Sequence, residues 1–126
     1  MLEVRGIETF YGASQALFGV DLAVREGQMV ALLGRNGMGK TTTIRSICGL
    51  TPPKRGSVRF LGREIAGLQA FRVARLGVGL VPEGRRCFPN LTVRENLVAT
   101  ARESKVSGEG WDLASVAKLF PRLGER

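Results

Sequence analysis

Hydrophobic and polar residues alternate along the first part of the chain, which is the pattern of a strand with one buried face. Leu2, Val4 and Ile7 are the apolar positions of a strand predicted over residues 2–10. The alternation slips at Gly6, so a bulge is predicted there. The chain therefore begins with one half-buried strand that is not perfectly regular.

Two more stretches alternate with period two. From Phe18 to Val24 every second residue is apolar, and Val58 and Phe60 mark a shorter stretch that Gly62 closes. Because one face of such strands is polar or only partly covered, they suit an antiparallel sheet. The sequence therefore predicts an N-terminal antiparallel β portion.

Two other stretches are apolar without interruption. Residues 29–33 read Met-Val-Ala-Leu-Leu, and residues 78–81 read Val-Gly-Leu-Val. Continuous apolar runs of this length predict strands that are covered on both faces, as in a parallel sheet flanked by helices. The predicted fold class is therefore α/β, with a partial parallel sheet beside the antiparallel β portion.

Four helices are predicted among and after these strands. The first follows a glycine-rich loop and ends near Gly49, because two prolines come soon after. A short helix covers residues 68–76, and a third begins at a capping box formed by residues 92–95 and runs to about residue 101. A fourth, amphipathic helix covers residues 113–120 and stops at a proline. Residues 103–110 are polar and predict a loop.

The glycine-rich loop carries the clearest chemical signal. Residues 34–41 read Gly-Arg-Asn-Gly-Met-Gly-Lys-Thr and match the pattern G-x-x-x-x-G-K-[S/T], between an apolar run and a helix as the pattern requires. Glycines let several backbone N–H groups point at a triphosphate, while Lys40 would reach the β- and γ-phosphates and the Thr41 hydroxyl would hold Mg²⁺. The predicted nucleotide-binding residues here are Gly34, Arg35, Asn36, Gly37, Met38, Gly39, Lys40, Thr41 and Thr42.

The composition limits the classes of partner that are expected and does not change the predicted fold class. The 126 residues suit one domain, and no apolar run approaches the roughly 18 residues of a membrane span. The N-terminus lacks a signal-peptide pattern, which favours a cytoplasmic protein. The net charge is +8, but the basic residues are scattered and indicate no nucleic-acid partner. Cys48 and Cys87 do not form a spaced pair, so neither a disulfide nor a cysteine metal site is predicted.

Taken in order, the motifs resemble those of the ATP-binding subunit of ABC transporters, and most of all those of the branched-chain amino-acid importers. Tyr11 stands where the family places an aromatic ring that stacks on adenine. Residues 79–83 match the loop in which most members carry a glutamine that reaches towards Mg²⁺ and the attacking water. Glu83 stands there instead, and residues 81–89 resemble the branched-chain subgroup in this respect. A carboxylate can approach Mg²⁺ but cannot donate an N–H.

The resemblance also implies catalytic residues, domain limits and binding partners. Lys40 and Glu83 would be catalytic, and Glu83 would approach the Mg²⁺. Residues 1–87 would form the β portion and ATP-binding core of a P-loop NTPase, and residues 88–126 the start of a helical subdomain, in which residues 88–97 dock a membrane subunit. The implied partners are ATP, two membrane permease subunits, a second ATP-binding subunit and, indirectly, a periplasmic binding protein. The implied location is the cytoplasmic face of the inner membrane.

Part of the family's catalytic machinery is missing from these 126 residues. The sequence has no L-S-G-G-Q-like signature, no apolar strand that ends in Asp-Glu and no histidine. We therefore expect an N-terminal fragment that binds ATP without turning it over alone, and an incomplete parallel sheet with exposed apolar surface. Two alternatives stay open: an importer of another small polar cargo such as urea, and a non-catalytic ATP-binding module. A nucleic-acid-binding domain or a kinase of the same superfamily explains fewer motifs.

Overall fold

The computed structural model describes residues 1–84, 86–101 and 110–125. These fall into two compact units, Met1–Val81 and Pro82–Arg126. Arg85 of the predicted loop motif and most of the loop predicted over residues 103–110 lie outside the described residues. The domain limits expected from the resemblance, at residues 87 and 88, stay a prediction.

The first unit contains a four-stranded antiparallel sheet with the strand order β2-β1-β3-β4. Its strands are β1 (Leu2–Tyr11), β2 (Ser14–Val24), β3 (Arg55–Phe60) and β4 (Arg63–Glu64). The antiparallel β portion is therefore present, as the alternating patterns predicted. The two-residue strand β4 was not predicted, because it is too short to carry a periodicity.

Bulges interrupt the pairing of β1 with β2. The first lies between Val4 and Ile7, where the register shifts and Gly6 takes a φ of 55°. That left-handed conformation is open to glycine at little steric cost. The bulge predicted from the slip in alternation is confirmed.

Because of a second bulge, Phe18 does not lie on the buried face of β2 as the alternation predicted. Val20 pairs with Ile7 but Phe18 pairs with Glu8, so Gly19 is the extra residue on β2. One extra residue in a strand places the side chains on its two sides on opposite faces relative to a regular alternation. Phe18 is consequently 75% exposed.

Two helices belong to the first unit: α1 (Lys40–Ile47) and α2 (Ala70–Arg75). The helix α1 packs against β1 and β2, and Gly49 follows it with a φ of 72°, as the predicted helix end requires. The core between sheet and helices is small and aliphatic. It consists of Val4, Ile7, Leu17, Ile47, Val58, Ile65 and Val73.

The two uninterrupted apolar runs do not form strands in this structure. Met29 is 95% exposed and Leu33 is 90% exposed in the first run, and Val81 is 95% exposed in the second. A strand needs a neighbour for its backbone N–H and C=O groups, and within the described residues neither run pairs with one. The prediction of two buried strands is wrong here, whereas the expected exposure of apolar surface is observed.

The second unit is helical. It contains α3 (Val93–Ala99), α4 (Leu113–Leu119) and the short α5 (Pro121–Gly124). Thr92 caps α3 in the predicted capping box, although α3 ends two residues earlier than expected. A proline ends α4 as predicted. Across the described parts of both units, none of the helices has the length and apolar character needed to cross a membrane.

Candidate functional site

The glycine-rich loop keeps its bend. Gly37 and Gly39 have φ values of 82° and 84°, in the left-handed region that favours glycine. Between them, the Met38 N–H donates to the carbonyl oxygen of Arg35 at 3.4 Å, which closes a turn. The loop therefore curves back on itself immediately before α1 begins at Lys40, as the pattern predicts.

The last glycine of the loop lies against the sheet. A Cβ on Gly39 would stand 2.6 Å from Cδ2 of Leu17 and 3.2 Å from the carbonyl oxygen of Ala16. Leu17 is buried and belongs to the core. Both the backbone conformation and the available space at this position therefore require glycine.

The ammonium of Lys40 points into the bend. Its Nζ donates to the carbonyl oxygens of Gly34 at 2.6 Å and Arg35 at 2.8 Å. No side chain caps the N-terminus of α1, so its first N–H groups and the positive end of the helix dipole face the same bend. An ammonium group, uncapped N–H groups and a glycine backbone together fit the phosphates of a nucleotide.

Three threonines follow Lys40 and differ in exposure. Thr41 is exposed, whereas Thr42 and Thr43 are buried. The Thr43 hydroxyl is used within the helix, where it donates to the carbonyl oxygen of Gly39 at 2.9 Å. Thr41 is the exposed one of the three threonines, and its role as a ligand of Mg²⁺ stays a prediction.

Tyr11 lies beside this helix at the end of β1. Its hydroxyl is 3.4 Å from the Thr42 hydroxyl, and 48% of the residue is exposed. The hydrogen bond with Thr42 is the main cause that lowers the pKa of the Tyr11 phenol. Burial opposes this shift, and smaller contributions from Thr51 and Arg45 lower the pKa as well. The structure thus brings a half-exposed aromatic ring to the residue that follows Thr41.

A family model for ABC transporters matches residues 17–125 of the chain. The chain belongs to the ABC transporter family. The α/β class with a P-loop NTPase architecture is also confirmed by a solved ATP-binding subunit of an ABC transporter. That structure superposes with a TM-score of 0.69 at 36% identity, over 79% of this chain and 40% of its own.

Relatives in the ABC transporter family differ in the cargo that their names state. The chain is 40% identical over all of its 126 residues to the high-affinity branched-chain amino acid transport ATP-binding protein BraG of Pseudomonas aeruginosa, of which it covers 54%. It is 39% identical over 99% of its length to the Nod factor export ATP-binding protein I of Ralstonia nicotianae, of which it covers 37%. The chain spans about half the length, or less, of the curated relatives it matches.

Glu83, the family position at which most members carry glutamine, lies in the second unit and is exposed. Its role near Mg²⁺ stays a prediction.

In the second unit the side chain of Asn96 holds the segment before α3, because its Nδ2 donates to the carbonyl oxygens of Phe88 and Leu91, both at 3.1 Å. Its Oδ1 accepts the Phe88 N–H at 2.8 Å. This contribution was not predicted from the sequence, although asparagine early in a capped helix is a usable signal.

A groove of about 300 Å³ lies between α3, α4 and α5 of this ABC family member. It shares residues with the segment 88–97 that the resemblance assigns to a membrane subunit. Arg94 stands at the groove among apolar side chains. The lining residues are Thr92, Val93, Arg94, Leu97, Leu113, Ala117, Leu123 and Gly124.

Four polar residues near the loop were also missed by the sequence analysis. Thr9 and Ser46 share a buried hydrogen bond of 2.8 Å between β1 and α1. Arg45 donates from Nε to the Thr51 hydroxyl at 3.2 Å, which joins the end of α1 to the segment after it. The pair of Thr9 and Ser46 gives no local signal in the sequence, because its two members lie on distant parts of the chain.

Proposed function

We propose that this chain binds ATP, together with Mg²⁺, in the loop of residues 34–42. The observation that carries the proposal is the position of the Lys40 ammonium, held 2.6 Å from the Gly34 carbonyl at the uncapped start of α1. An ammonium already inside the bend can exchange carbonyl oxygens for phosphate oxygens by a small movement. Charge-assisted hydrogen bonds to phosphate are the stronger of the two interactions.

The groups proposed to bind ATP and Mg²⁺ have different tasks. The backbone N–H groups at the start of α1 bind phosphate oxygens, and Lys40 neutralises their charge. Thr41 supplies an exposed hydroxyl for Mg²⁺, which when bound neutralises phosphate charge and fixes the orientation of the phosphates. Tyr11 offers a half-exposed ring on which adenine can stack.

We infer that the chain serves an ABC importer of branched-chain amino acids. The identity to BraG over the whole chain and the resemblance of residues 81–89 to that subgroup support this cargo. The groove between α3, α4 and α5 supports a docking role for a membrane permease subunit. Two permeases, a second ATP-binding subunit, a periplasmic binding protein and a place at the cytoplasmic face of the inner membrane belong to the same proposal.

ATP binding is tested by titration calorimetry of the purified chain in the presence of Mg²⁺. Lys40→Ala should weaken binding by about tenfold or more, because a hydrogen bond to a charged group contributes about 1.5–3 kcal/mol. Lys118→Ala, which removes the same charge from α4, should leave the affinity unchanged. Equal affinities of the wild-type chain and Lys40→Ala, or no binding by either, would refute the site.

The 126-residue chain alone should not turn ATP over. Phosphoryl transfer needs groups that position the attacking water and neutralise developing charge, and this sequence has no strand ending in Asp-Glu to supply them. Phosphate release by the purified chain should equal that of Lys40→Ala. A turnover rate that depends on Lys40 would contradict this part of the proposal.

The cargo is tested in cells. Deletion of the gene should reduce uptake of labelled leucine, isoleucine and valine, and the wild-type gene should restore it while the Lys40→Ala gene should not. Urea uptake is the matched comparison, because an importer for that cargo is the open alternative. Loss of urea uptake with normal uptake of the amino acids would assign the other cargo.

A further inference from the structure

Two pairs of hydroxyl groups connect β1 to α1, one at each end of the helix. Thr9 and Tyr11 are two residues apart on the strand and therefore lie on the same face of β1. In the last turn of α1, the Ser46 hydroxyl is 2.8 Å from the buried Thr9 hydroxyl. In the first turn, the Thr42 hydroxyl is 3.4 Å from the Tyr11 hydroxyl. The ring of Tyr11 is thus joined to the end of the helix that faces the phosphate-binding bend.

Neighbouring threonines of α1 use their hydroxyls differently. The Thr43 hydroxyl donates to the carbonyl oxygen of Gly39, one turn earlier, as threonine within a helix often does. The Thr42 hydroxyl instead forms a hydrogen bond across to Tyr11 on β1. Only 9% of Thr42 is exposed, so its short side chain has little freedom to move. Thr42 therefore offers Tyr11 a partner whose own position is fixed by the helix.

The orientation of the Tyr11 ring depends on such a partner. Tyr11 is 48% exposed, so packing leaves much of the ring uncovered and able to rotate about its two side-chain torsions. The buried hydrogen bond between Thr9 and Ser46 already holds the backbone of β1 against α1. What holds the phenol hydroxyl therefore decides where the ring stands. The lowered pKa of the phenol, of which Thr42 is the main cause, agrees with this contact.

We propose that Thr42 is a positioning residue for the base of the nucleotide, because its hydroxyl holds that of Tyr11 and so ties the ring on which adenine stacks to the helix that binds the phosphates. This inference rests on the proposed ATP-binding function. A ring that already stands in its bound orientation loses less conformational entropy when the base arrives. The Thr42 hydroxyl does not need to touch the nucleotide for this effect.

The contact itself can be measured without a nucleotide. Tyr11 is the only tyrosine of the chain, so the ultraviolet absorbance of tyrosinate reports its ionisation alone. In Thr42→Val the phenol pKa should rise towards the ordinary value of 10.0, because the hydrogen bond that stabilises the phenolate is lost. Thr42→Ser retains a hydroxyl and should restore the wild-type pKa, and Thr100→Val, at an exposed threonine of the second unit, should not change it. An unchanged pKa in Thr42→Val would overturn the proposal.

The consequence for binding is measured with two ligands, ATP and inorganic tripolyphosphate, each with Mg²⁺. Thr42→Val and Tyr11→Phe each remove one hydroxyl of the contact and leave a side chain of similar shape. Each should weaken ATP binding about two- to tenfold, the range that corresponds to the loss of an aromatic contact, and should leave tripolyphosphate binding unchanged. Thr42→Ser should restore the ATP affinity that Thr42→Val loses, and Thr100→Val should bind both ligands as the wild-type chain does.

The double variant Tyr11→Phe with Thr42→Val shows whether the two hydroxyls act through each other. It should lose no more ATP affinity than either single variant, because both substitutions remove the same hydrogen bond. Losses that add would mean that the two residues act on the nucleotide separately, and an equal loss for both ligands in Thr42→Val would mean that Thr42 acts on the phosphates. Either result would overturn the proposal. Should Thr42→Val unfold the chain, Tyr11→Phe decides alone, and its wild-type affinity for ATP would overturn the proposal.

The two proposals fail in different ways. A wild-type chain that binds neither ligand would refute ATP binding, and the inference about the base would fall with it. A wild-type chain that binds ATP, with Thr42→Val and Tyr11→Phe at wild-type affinity, would refute only the positioning role. Weaker ATP binding at constant tripolyphosphate affinity, together with a raised phenol pKa in Thr42→Val, supports both.

Discussion

Gly39 lies so close to Leu17 that the phosphate-binding loop and strand β2 leave no room for a side chain between them. A Cβ at this position would stand 2.6 Å from Cδ2 of Leu17, a distance that carbon atoms do not share without a shift of one of them. Because Leu17 is fixed in the core, the loop would have to move. The curvature of the loop therefore depends on packing against the sheet as well as on glycine dihedrals.

Gly39→Ala should be more harmful than Gly37→Ala. Both glycines have φ values just above 80°, but a Cβ on Gly37 would meet no heavy atom within 4 Å. The left-handed conformation alone costs about 1–2 kcal/mol, and overpacking against Leu17 adds about 1–3 kcal/mol. Amide hydrogen exchange of α1 and ATP affinity should both show the difference. Equal effects of the two substitutions would mean that the close approach to Leu17 has no energetic weight.

Thr9 and Ser46 should behave as a coupled pair. Thr9→Val or Ser46→Ala alone leaves one buried hydroxyl without a partner, which costs about 1–3 kcal/mol. The double substitution removes both hydroxyls and should cost less than the sum of the single ones, with a coupling of about 1 kcal/mol. Hydrogen-exchange free energies of amides in β1 and α1 measure it. Ser14→Ala, at an exposed position on β2, is the control and should change little. Strict additivity would argue against the contact.

Features that depend on a few neighbouring residues could be predicted from the sequence. The loop of residues 34–41 and the capping box at Thr92 each follow from short patterns, and the structure has both in the predicted place. The bulge at Gly6 was predicted because the regular alternation of apolar and polar residues is interrupted there. In these cases the physical cause, a glycine dihedral or a helix end, lies within the pattern itself.

Features that depend on distant partners could not be predicted. Phe18 changed face because Gly19 is an extra residue against β1, and the pattern of β2 alone does not show which strand it pairs with. Residues 29–33 are apolar enough to be buried, but burial requires neighbours that the described chain does not place on them. The buried hydrogen bond between Thr9 and Ser46 likewise depends on how α1 packs on β1.

The capping box of α3 should make this helix sensitive to acid. The Thr92 N–H, at 2.8 Å, and then the Thr92 hydroxyl donate to the Glu95 carboxylate and lower its pKa from the ordinary value of 4.5. A group whose pKa is lowered on folding stabilises the helix above its ordinary value and ceases to do so as the pH falls. The chemical shifts of α3 should therefore report fraying as the pH falls below 4.5.

Glu95→Gln tests this explanation. Glutamine can accept the same hydrogen bonds but does not titrate, so α3 should keep one helix content across the acidic range. Glu26→Gln, in the turn after β2, should leave the acid response of α3 as it is. If Glu95→Gln frayed over the same pH interval as the wild-type chain, another group would have to be responsible.

The exposed apolar runs should limit the solubility of the chain. Leu33 and Val81 are at least 90% exposed, and their segments pair with no strand among the residues that the structure describes. Unpaired backbone beside apolar side chains favours association between chains. Leu33→Lys and Val81→Lys should therefore raise the concentration at which the chain stays in solution, without loss of the protection of β1 amides.

Amide hydrogen exchange separates this explanation from a general lack of stability. Residues 78–81 should exchange quickly, because their backbone groups have no strand partner in the described chain, whereas Val4 and Val58 should be protected within the sheet. Val58→Lys is the contrasting substitution: Val58 is 0% exposed, so a charge there should unfold the first unit. Strong protection of residues 78–81 in dilute solution would show that a partner strand is present, and Val81→Lys should then destabilise the chain instead of keeping it in solution.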